Sequence, residues 1–503
     1  MNKKVVMLIL DGWGLGKEDE FNAIANAKTP NFDKLVKDYP NIRLKSDGPA
    51  VGLPEGQFGT SEINHQVIGA GTVILQDLPR ISKYIEEGSF FNNKGLVEAC
   101  NHAKKNNSAV QLVGIVSDGN VHASMEHLQA CIDLVAREGV ENIYIHAFTD
   151  GRDTPPKSAK KYLDQVEKSL KKHKFNKASI STMQGRFYLD RDRDWDKTEK
   201  AVNLIFEGRG GNYKSYETVI NDNYYHNNTD EYFEQYVLDE EGIIGKKDSI
   251  IFFHFRTDRM YQLAQRISQR VTKNNYMVSF TSYSDDFKFP VAFPREYISH
   301  TLASTVSEAK KSQLHITETE KFAHLTFFMN AGKEEEYPYE DWKMLQSNRY
   351  VKPYYNFEPS MRAFDITDQI VDHIEKDSYD FIVVNYPNTD MVGHTGNYEA
   401  AVIAAESVDY CLGKVYAAIK EKLDDYVLIV TADHGNSDVM WDYESEQPHT
   451  QHTTNPVPFI LVTDIKCKLD RKESLEDIAP TILDLMGIEK PEVMKGNTLI
   501  VKE

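Results

Sequence analysis

The stretch 426–436, YVLIVTADHGN, constrains the fold of this chain more than any other. Its apolar and β-branched residues run without a polar break into Thr431, Ala432, Asp433, His434 and Gly435. A short, unbroken apolar run suits a parallel strand covered on both faces, and hence an α/β sheet with helices on either side. In such sheets the site lies beyond the carboxyl ends of the strands. Asp433 offers a hard oxygen, His434 a nitrogen, and Gly435 lets the chain turn away. Adjacent strand residues face opposite ways, so the pair can share one ion only if the strand has already ended. Taken alone, Asp-His-Gly reads as a polar turn. Repetition of the same pattern elsewhere changes that reading.

Lys4–Leu10 is a second apolar run and ends in Asp11-Gly12-Trp13-Gly14. Neither nucleotide-binding glycine fingerprint is met there, so Asp11 reads as a carboxylate at a strand end. The run 380–386 leads into PNTDMVGHTG, where Asp390 and His394 stand four apart. The nearby proline and glycines predict a loop rather than a helix at this point. His449 and His452 precede a strand at Val457–Val462, and a further strand is predicted at 323–328. Between 52 and 71, five glycines frame Ser61, which fits a nucleophile at the start of a helix, where free backbone N–H groups favour a phosphate. Thr29-Pro30 opens an earlier helix.

The middle of the chain repeats the strand-then-cluster pattern four times. Strands predicted at 109–116, 142–148, 178–183 and 249–253 run into SDGNVHAS, TDGRDTPP, QGRFYLDRD and HFRTDR. Three of these clusters contribute Arg152, Arg186, Arg191, Arg256 and Arg259, an anion site assembled from separate loops. The Asn-, Tyr- and Asp-rich stretch 210–242 is predicted as a long polar connection with one helix, 282–295 as a linker, and the acidic stretch 334–341 as solvated surface.

A chain of 503 residues exceeds one ordinary core, so two domains are expected. With 77 acidic against 58 basic residues the net charge is −19, which disfavours a general nucleic-acid or membrane-surface binder. No apolar run reaches the ~18 residues of a spanning helix. The start of the chain superficially resembles a signal peptide, but its apolar stretch runs into Asp11 instead of a small-residue cleavage site. Cys100, Cys131, Cys411 and Cys467 are scattered without CxxC spacing, which suits a reducing cytoplasm.

The strand-end ligands are thus Asp11, Asp390, His394, Asp433, His434 and His452, with Ser61 as a hydroxyl. Three carboxylates and three imidazoles suit two divalent ions of intermediate hardness, such as Mn²⁺ or Zn²⁺. Ions ~3.5–4 Å apart could activate a serine and polarise a phosphoryl group.

The motifs LDGWG, GLPEGQFGTSE, SDGNVH, HAFTDGRDTPP, FRTDR, ETEKFAH, PNTDMVGHTG, TADHGN and PHTQHTTNPVPF resemble those of the cofactor-independent phosphoglycerate mutases of the alkaline phosphatase superfamily. The resemblance runs in order from about residue 4 to 490. It implies two α/β domains: a discontinuous metal-binding phosphatase domain (1–74 and 296–503) with a transferase domain (75–295) inserted into it. The chain requires an insertion in any case, since Asp11 and Ser61 can meet Asp433 only if the intervening residues fold apart. By motif, Asp390, His394 and His452 resemble a first metal site, and Asp11, Ser61, Asp433 and His434 a second. His122, Arg152, Asp153, Arg186, Arg191, Arg256, Arg259 and Lys321 resemble substrate contacts.

The resemblance implies interconversion of 3- and 2-phosphoglycerate by a cytoplasmic monomer. Catalysis would pass through phosphoserine at Ser61, with Asp153, His122 and Lys321 assisting. It would use two Mn²⁺ (or Zn²⁺, Co²⁺ or Mg²⁺) and no 2,3-bisphosphoglycerate, nucleic acid or membrane. Asn64 and Asn120 stand where the family has glycine, Ser124 where it has histidine, and His254 and Thr257 where it has Asn and Pro. The segment from Arg186 to Arg191 is one residue short. Two alternatives stay open: a phosphatase or phosphopentomutase of the same superfamily, the latter having threonine in place of Ser61, and a non-catalytic phosphometabolite-binding protein.

Overall fold

Val5–Leu10 offers solvent no polar face, and all six residues are buried at the centre of a seven-stranded sheet. The structure, a computed structural model, describes residues 2–295, 298–470 and 474–502. The chain divides into two compact units, Met1–Leu75 with Tyr297–Glu503, and Gln76–Glu296. The second change-over expected from the sequence, between 295 and 296, touches a residue outside the described ones.

In the first unit the strand order is Glu340–Leu345, Gln313–Glu318, Phe381–Tyr386, Lys4–Leu10, Tyr426–Thr431, Val457–Val462, Asn41–Leu44. Lys4–Leu10 pairs in parallel with both Phe381–Tyr386 and Tyr426–Thr431, with Leu10 opposite Tyr386 and Ile9 opposite Thr431. Parallel pairing puts three carboxyl ends in one row, and with them Asp11, Asp390 and Asp433. Val457–Val462 runs antiparallel to Tyr426–Thr431, so its amino end, and His452 before it, comes to the same edge.

The second unit has its own core and its own seven-stranded sheet, in the order Gly211–Asn212, Tyr236–Val237, Lys177–Gly185, Asn142–Thr149, Ala109–Ile115, Ser249–Phe252, Tyr276–Ser279. The last five are mutually parallel, so the four polar clusters also emerge along one edge.

Five expectations are corrected, the last two only in part. The segment 323–328 is no strand: His324–Phe328 is a π-helical turn, and the strand is the preceding Gln313–Glu318. An unbroken apolar run fits either state, and here helical spacing lets the rings of His324 and Phe328 stack at 5.5 Å. Asp390 lies in a short helix, Asn388–Gly393, and His394 donates its N–H to the Asp390 carbonyl at 3.0 Å. Pro387 stands just before the first turn, where its missing N–H costs nothing, and Gly393 falls at the end. The stretch 282–295 is no free linker, because Tyr283, Ala292 and Phe293 are buried in the second core. The stretch 210–242 contains the expected helix, Tyr216–Tyr225, and also two short strands that extend the sheet. The stretch 334–341 is mostly exposed, as expected, but Glu340 is buried and accepts from Asn330 Nδ2, Trp342 Nε1 and the Tyr337 N–H, at 2.6–2.9 Å.

Candidate functional site

Ser61 is the first residue of the helix Ser61–Ala70, and Thr60 supplies the cap by accepting from the Ile63 N–H. The start of that helix lies over the row of strand ends in the first unit. Ser61 Oγ is 2.9 Å from His434 Nε2 and 2.6 Å from Lys321 Nζ. Lys321 also donates to Asp11 Oδ1 at 2.8 Å and to Asp390 Oδ2 at 2.7 Å. His434 Nε2 lies 3.3 Å from Asp433 Oδ2 and 3.8 Å from Asp11 Oδ1. The loop after Asp11 comes close enough that a side chain on Gly12, at φ 78°, would strike the Asp390 backbone.

Around Asp390, Oδ1 is 3.2 Å from His394 Nε2 and 3.3 Å from His452 Nε2, and the two imidazole nitrogens are 3.1 Å apart. His394 Nδ1 donates to the Thr450 carbonyl at 2.8 Å and His452 Nδ1 to the Gly59 carbonyl at 2.9 Å. A carbonyl only accepts, so Nδ1 carries a proton in each ring, and once the ring is neutral its Nε2 lone pair faces the site. That is the orientation a metal-binding histidine needs. Ligand atoms of Asp390, His434 and His452, and those of Asp11, Asp433 and His434, lie within 4.8 Å of one another.

The electrostatics carry the same signature. Burial, reinforced by Asp433, pushes the Asp11 carboxyl up, and burial likewise raises Asp433. Burial opposes ionisation of Asp390 too, but Lys321, His394 and His452 outweigh it and hold its carboxyl well below the usual range. Burial works against the Lys321 charge, yet Asp11, Asp390 and Asp433 keep it protonated. Burial lowers His434 to about 3. Among the described residues, Asp433 Oδ2 is buried without a hydrogen-bond donor. Three buried carboxylates, one lysine, lone pairs of imidazoles facing one another and an orphaned carboxylate oxygen fit a pair of divalent cations.

The second unit gathers the other candidates. Arg186, fully buried, donates from Nη1 to Asp150 Oδ1 and Asp153 Oδ2 at 2.5 Å each, and from Nη2 to His122 Nε2 at 2.9 Å. His122 therefore accepts and is neutral; burial, then Arg186, lowers it to about 4. Asp258 lies 3.0 Å from Arg191, 3.3 Å from Arg256 and 3.6 Å from His122. Arg259 donates to the Leu189 carbonyl, and burial together with Arg186 and Arg191 pushes its guanidinium below its ordinary value. Arg152 is half exposed and pairs with Glu231 at 3.3 Å. The cluster holds more cation than its own carboxylates neutralise, which suits an anionic ligand.

Sequence reasoning did not single out Asp150, Asp258, His65, Asn385 or Asn436. Asn436 donates to Asp390 Oδ1 at 2.8 Å, across 46 residues of sequence. Asp150, Asp258 and Asn436 stand inside quoted motifs, and that was the available signal. Among the departures, Asn64 donates to the Ser46 and Asp433 carbonyls, which glycine could not do. Asn120 takes φ 55°, a left-handed conformation that Asn tolerates. His254 accepts from the Ile115 N–H at 3.0 Å.

The model of the metalloenzyme superfamily matches residues 3–490. The 2,3-bisphosphoglycerate-independent phosphoglycerate mutase of Moorella thermoacetica is 43% identical over 517 residues, covering 100% of this chain and 99% of that protein. The one of Clostridium novyi is 44% identical, covering 99% of this chain and 100% of that protein. Among solved structures, the phosphoglycerate mutase of Leishmania mexicana at low cobalt concentration is 27% identical with a TM-score of 0.59, covering 100% of this chain and 98% of that one. Taken with full-length identity at this level, the matching model means that the chain belongs to the 2,3-bisphosphoglycerate-independent phosphoglycerate mutase family of the metalloenzyme superfamily.

Proposed function

We propose that this protein is an isomerase that interconverts 3-phosphoglycerate and 2-phosphoglycerate through a phosphoserine at Ser61, without 2,3-bisphosphoglycerate. The observation that carries the reading is the setting of Ser61 Oγ, at a helix start and within 2.9 Å of both His434 Nε2 and Lys321 Nζ. The names of the full-length relatives support the substrate.

Two divalent ions, Mn²⁺ by preference for a mixed N and O donor set, would be held by Asp390, His394 and His452 and by Asp11, Ser61, Asp433 and His434, supplying Lewis-acid stabilisation. Ser61 would react as the alkoxide, its proton lost to water and its charge offset by Lys321 and the ions; Oγ attacks the phosphorus in line, the bond from phosphorus to the C3 oxygen breaks, and that oxygen takes a proton that the 2-hydroxyl later makes good. The 2-hydroxyl then gives up its proton and attacks phosphoserine, restoring Ser61. Lys321 offsets charge on the phosphoryl oxygens. Asp153, with neutral His122, moves the protons at the two glycerate hydroxyls. Arg152, Arg186, Arg191, Arg256 and Arg259 hold the glycerate carboxylate while the molecule reorients. In this reading the first unit is the phosphatase domain and the second the transferase domain.

Supplied with metal and 3-phosphoglycerate alone, the wild type should yield 2-phosphoglycerate and little free phosphate. The double variant Arg256→Ala, Arg259→Ala should lose its hold on glycerate, so that water reaches the phosphoenzyme first. Its mutase rate should fall and its ratio of free phosphate to isomerised product should rise. An unchanged ratio with both rates intact would remove these arginines from the mechanism. Phosphate release by the wild type without isomerisation would make the enzyme a phosphatase.

A further inference from the structure

Behind Asp11 and Ser61 runs a buried hydrogen-bonded chain for which the reaction above has no use. His65 lies one helical turn after Ser61 and is fully buried, as is Asn385 on the strand Phe381–Tyr386. His65 Nδ1 is 2.9 Å from the Ser61 carbonyl oxygen. That oxygen only accepts, so Nδ1 carries the proton. Nε2 is 3.2 Å from Asn385 Nδ2 and accepts from it. The second hydrogen of the same amide nitrogen goes to Asp11 Oδ2 at 2.7 Å. The amide cannot be turned round, because Asn385 Oδ1 would then face a carboxylate oxygen. One nitrogen with two hydrogens thus requires an acceptor on each side, and His65 can be that acceptor only as the neutral Nδ1–H tautomer.

The consequence falls on Asp11. With Oδ2 engaged by Asn385, the oxygen left facing the site is Oδ1, which meets Lys321 at 2.8 Å and lies 3.8 Å from His434 Nε2. Asn385 is opposite Ile9 in the parallel pair, two residues before Asp11, so the amide reaches the carboxylate from a rigid element. At the other end, the His65 bond to the Ser61 carbonyl ties the first turn of the nucleophile's helix to the same chain. Asp433 Oδ2 is 3.4 Å from His65 Nδ1, a longer approach than the Ser61 carbonyl.

We propose that His65 and Asn385 are positioning residues: together they fix the rotation of the Asp11 carboxylate, and hence the geometry of the ion held by Asp11 and Ser61. The inference rests on the reading of Asp11 and Ser61 as ligands of a divalent ion. Loss of such a supporting partner costs roughly 10–100-fold in metal affinity or activity.

The test titrates metal-free protein with Mn²⁺ by calorimetry and measures kcat and KM for phosphoglycerate. It compares wild type with His65→Leu, His65→Gln, Asn385→Leu and the double Leu variant. Both single Leu variants should weaken one of two Mn²⁺ sites by about 10–100-fold and lower kcat with KM little changed. The double variant should be no worse than the weaker single one, since the pair acts as one chain. His65→Gln places an acceptor near the Nε2 position and should restore most of the affinity. If His65→Leu does not fold, Asn385→Leu carries the same expectation from the other end. Wild-type affinity in the Leu variants, or a Gln variant as weak as Leu, would overturn the inference. A wild type that binds no Mn²⁺ would remove the metal reading itself, and the inference with it.

Discussion

Replacing Ser61 with alanine should abolish phosphoglycerate interconversion, by about 10⁴-fold or more, while the protein stays folded. The magnitude follows from covalent catalysis: without the hydroxyl no phosphoenzyme forms, and the surrounding charges have no group to activate. Retention of the fold follows from the position. Ser61 is the first residue of its helix and Thr60 is the cap, so alanine removes no capping bond and is a good helix former. Its contacts are Lys321 and His434, which keep their other partners. The check is the mutase rate of the variant beside its circular dichroism and unfolding midpoint, with mass spectrometry to exclude wild-type protein. Substantial turnover by the pure variant would take Ser61 out of its role.

The second large effect is loss of activity on exhaustive chelation, with recovery on adding Mn²⁺, and a steep fall in activity on mild acidification. Protons compete for the imidazole lone pairs. Burial works against a charge on His394 and on His452, but the bond of each to Asp390 outweighs it and raises both above the ordinary imidazole value. The sign is then set: each ring holds its proton to higher pH than a free histidine, at ~6.5, and must release it to bind metal. Activity should therefore rise with pH through that region, and on the acid side its logarithm should change with a slope of about two per pH unit or steeper. Burial lowers His434 to about 3, so it adds no competition near neutrality. Raising the Mn²⁺ concentration should shift the acid limb to lower pH. Full activity in metal-free protein, or an acid limb indifferent to Mn²⁺, would contradict the proposed ligands.

The strand-end carboxylates were legible because parallel pairing is a local rule with a long-range result. Apolar runs ending in Asp11, in the loop of Asp390 and in Asp433 had to be neighbours in one sheet, and their ends had to align. His452 was harder, since it reaches the same edge only because Val457–Val462 runs antiparallel. The helix that holds Asp390 and leads into His394 was misread because Pro387 and Gly393 look like breakers, yet they stand at the two ends of a single short helix. The segment 323–328 was misread because continuous apolar character does not separate a strand from a buried helical turn. What escaped altogether were pairings between distant residues. Asp150 with Arg186, Asp258 with Arg191, and Asn385 with Asp11 and His65 are set by which strands lie side by side, which no single motif encodes.

The central claim is that the phosphoryl group passes through Ser61. The most direct measurement mixes Mn²⁺-loaded protein with phosphoryl-labelled 3-phosphoglycerate, quenches in acid after milliseconds, and maps the label by peptide mass spectrometry while following 2-phosphoglycerate and free phosphate. The expected result is label on Ser61 that appears before 2-phosphoglycerate and decays into it with little free phosphate. Formation of labelled 2-phosphoglycerate without label ever reaching Ser61 would contradict the phosphoserine route.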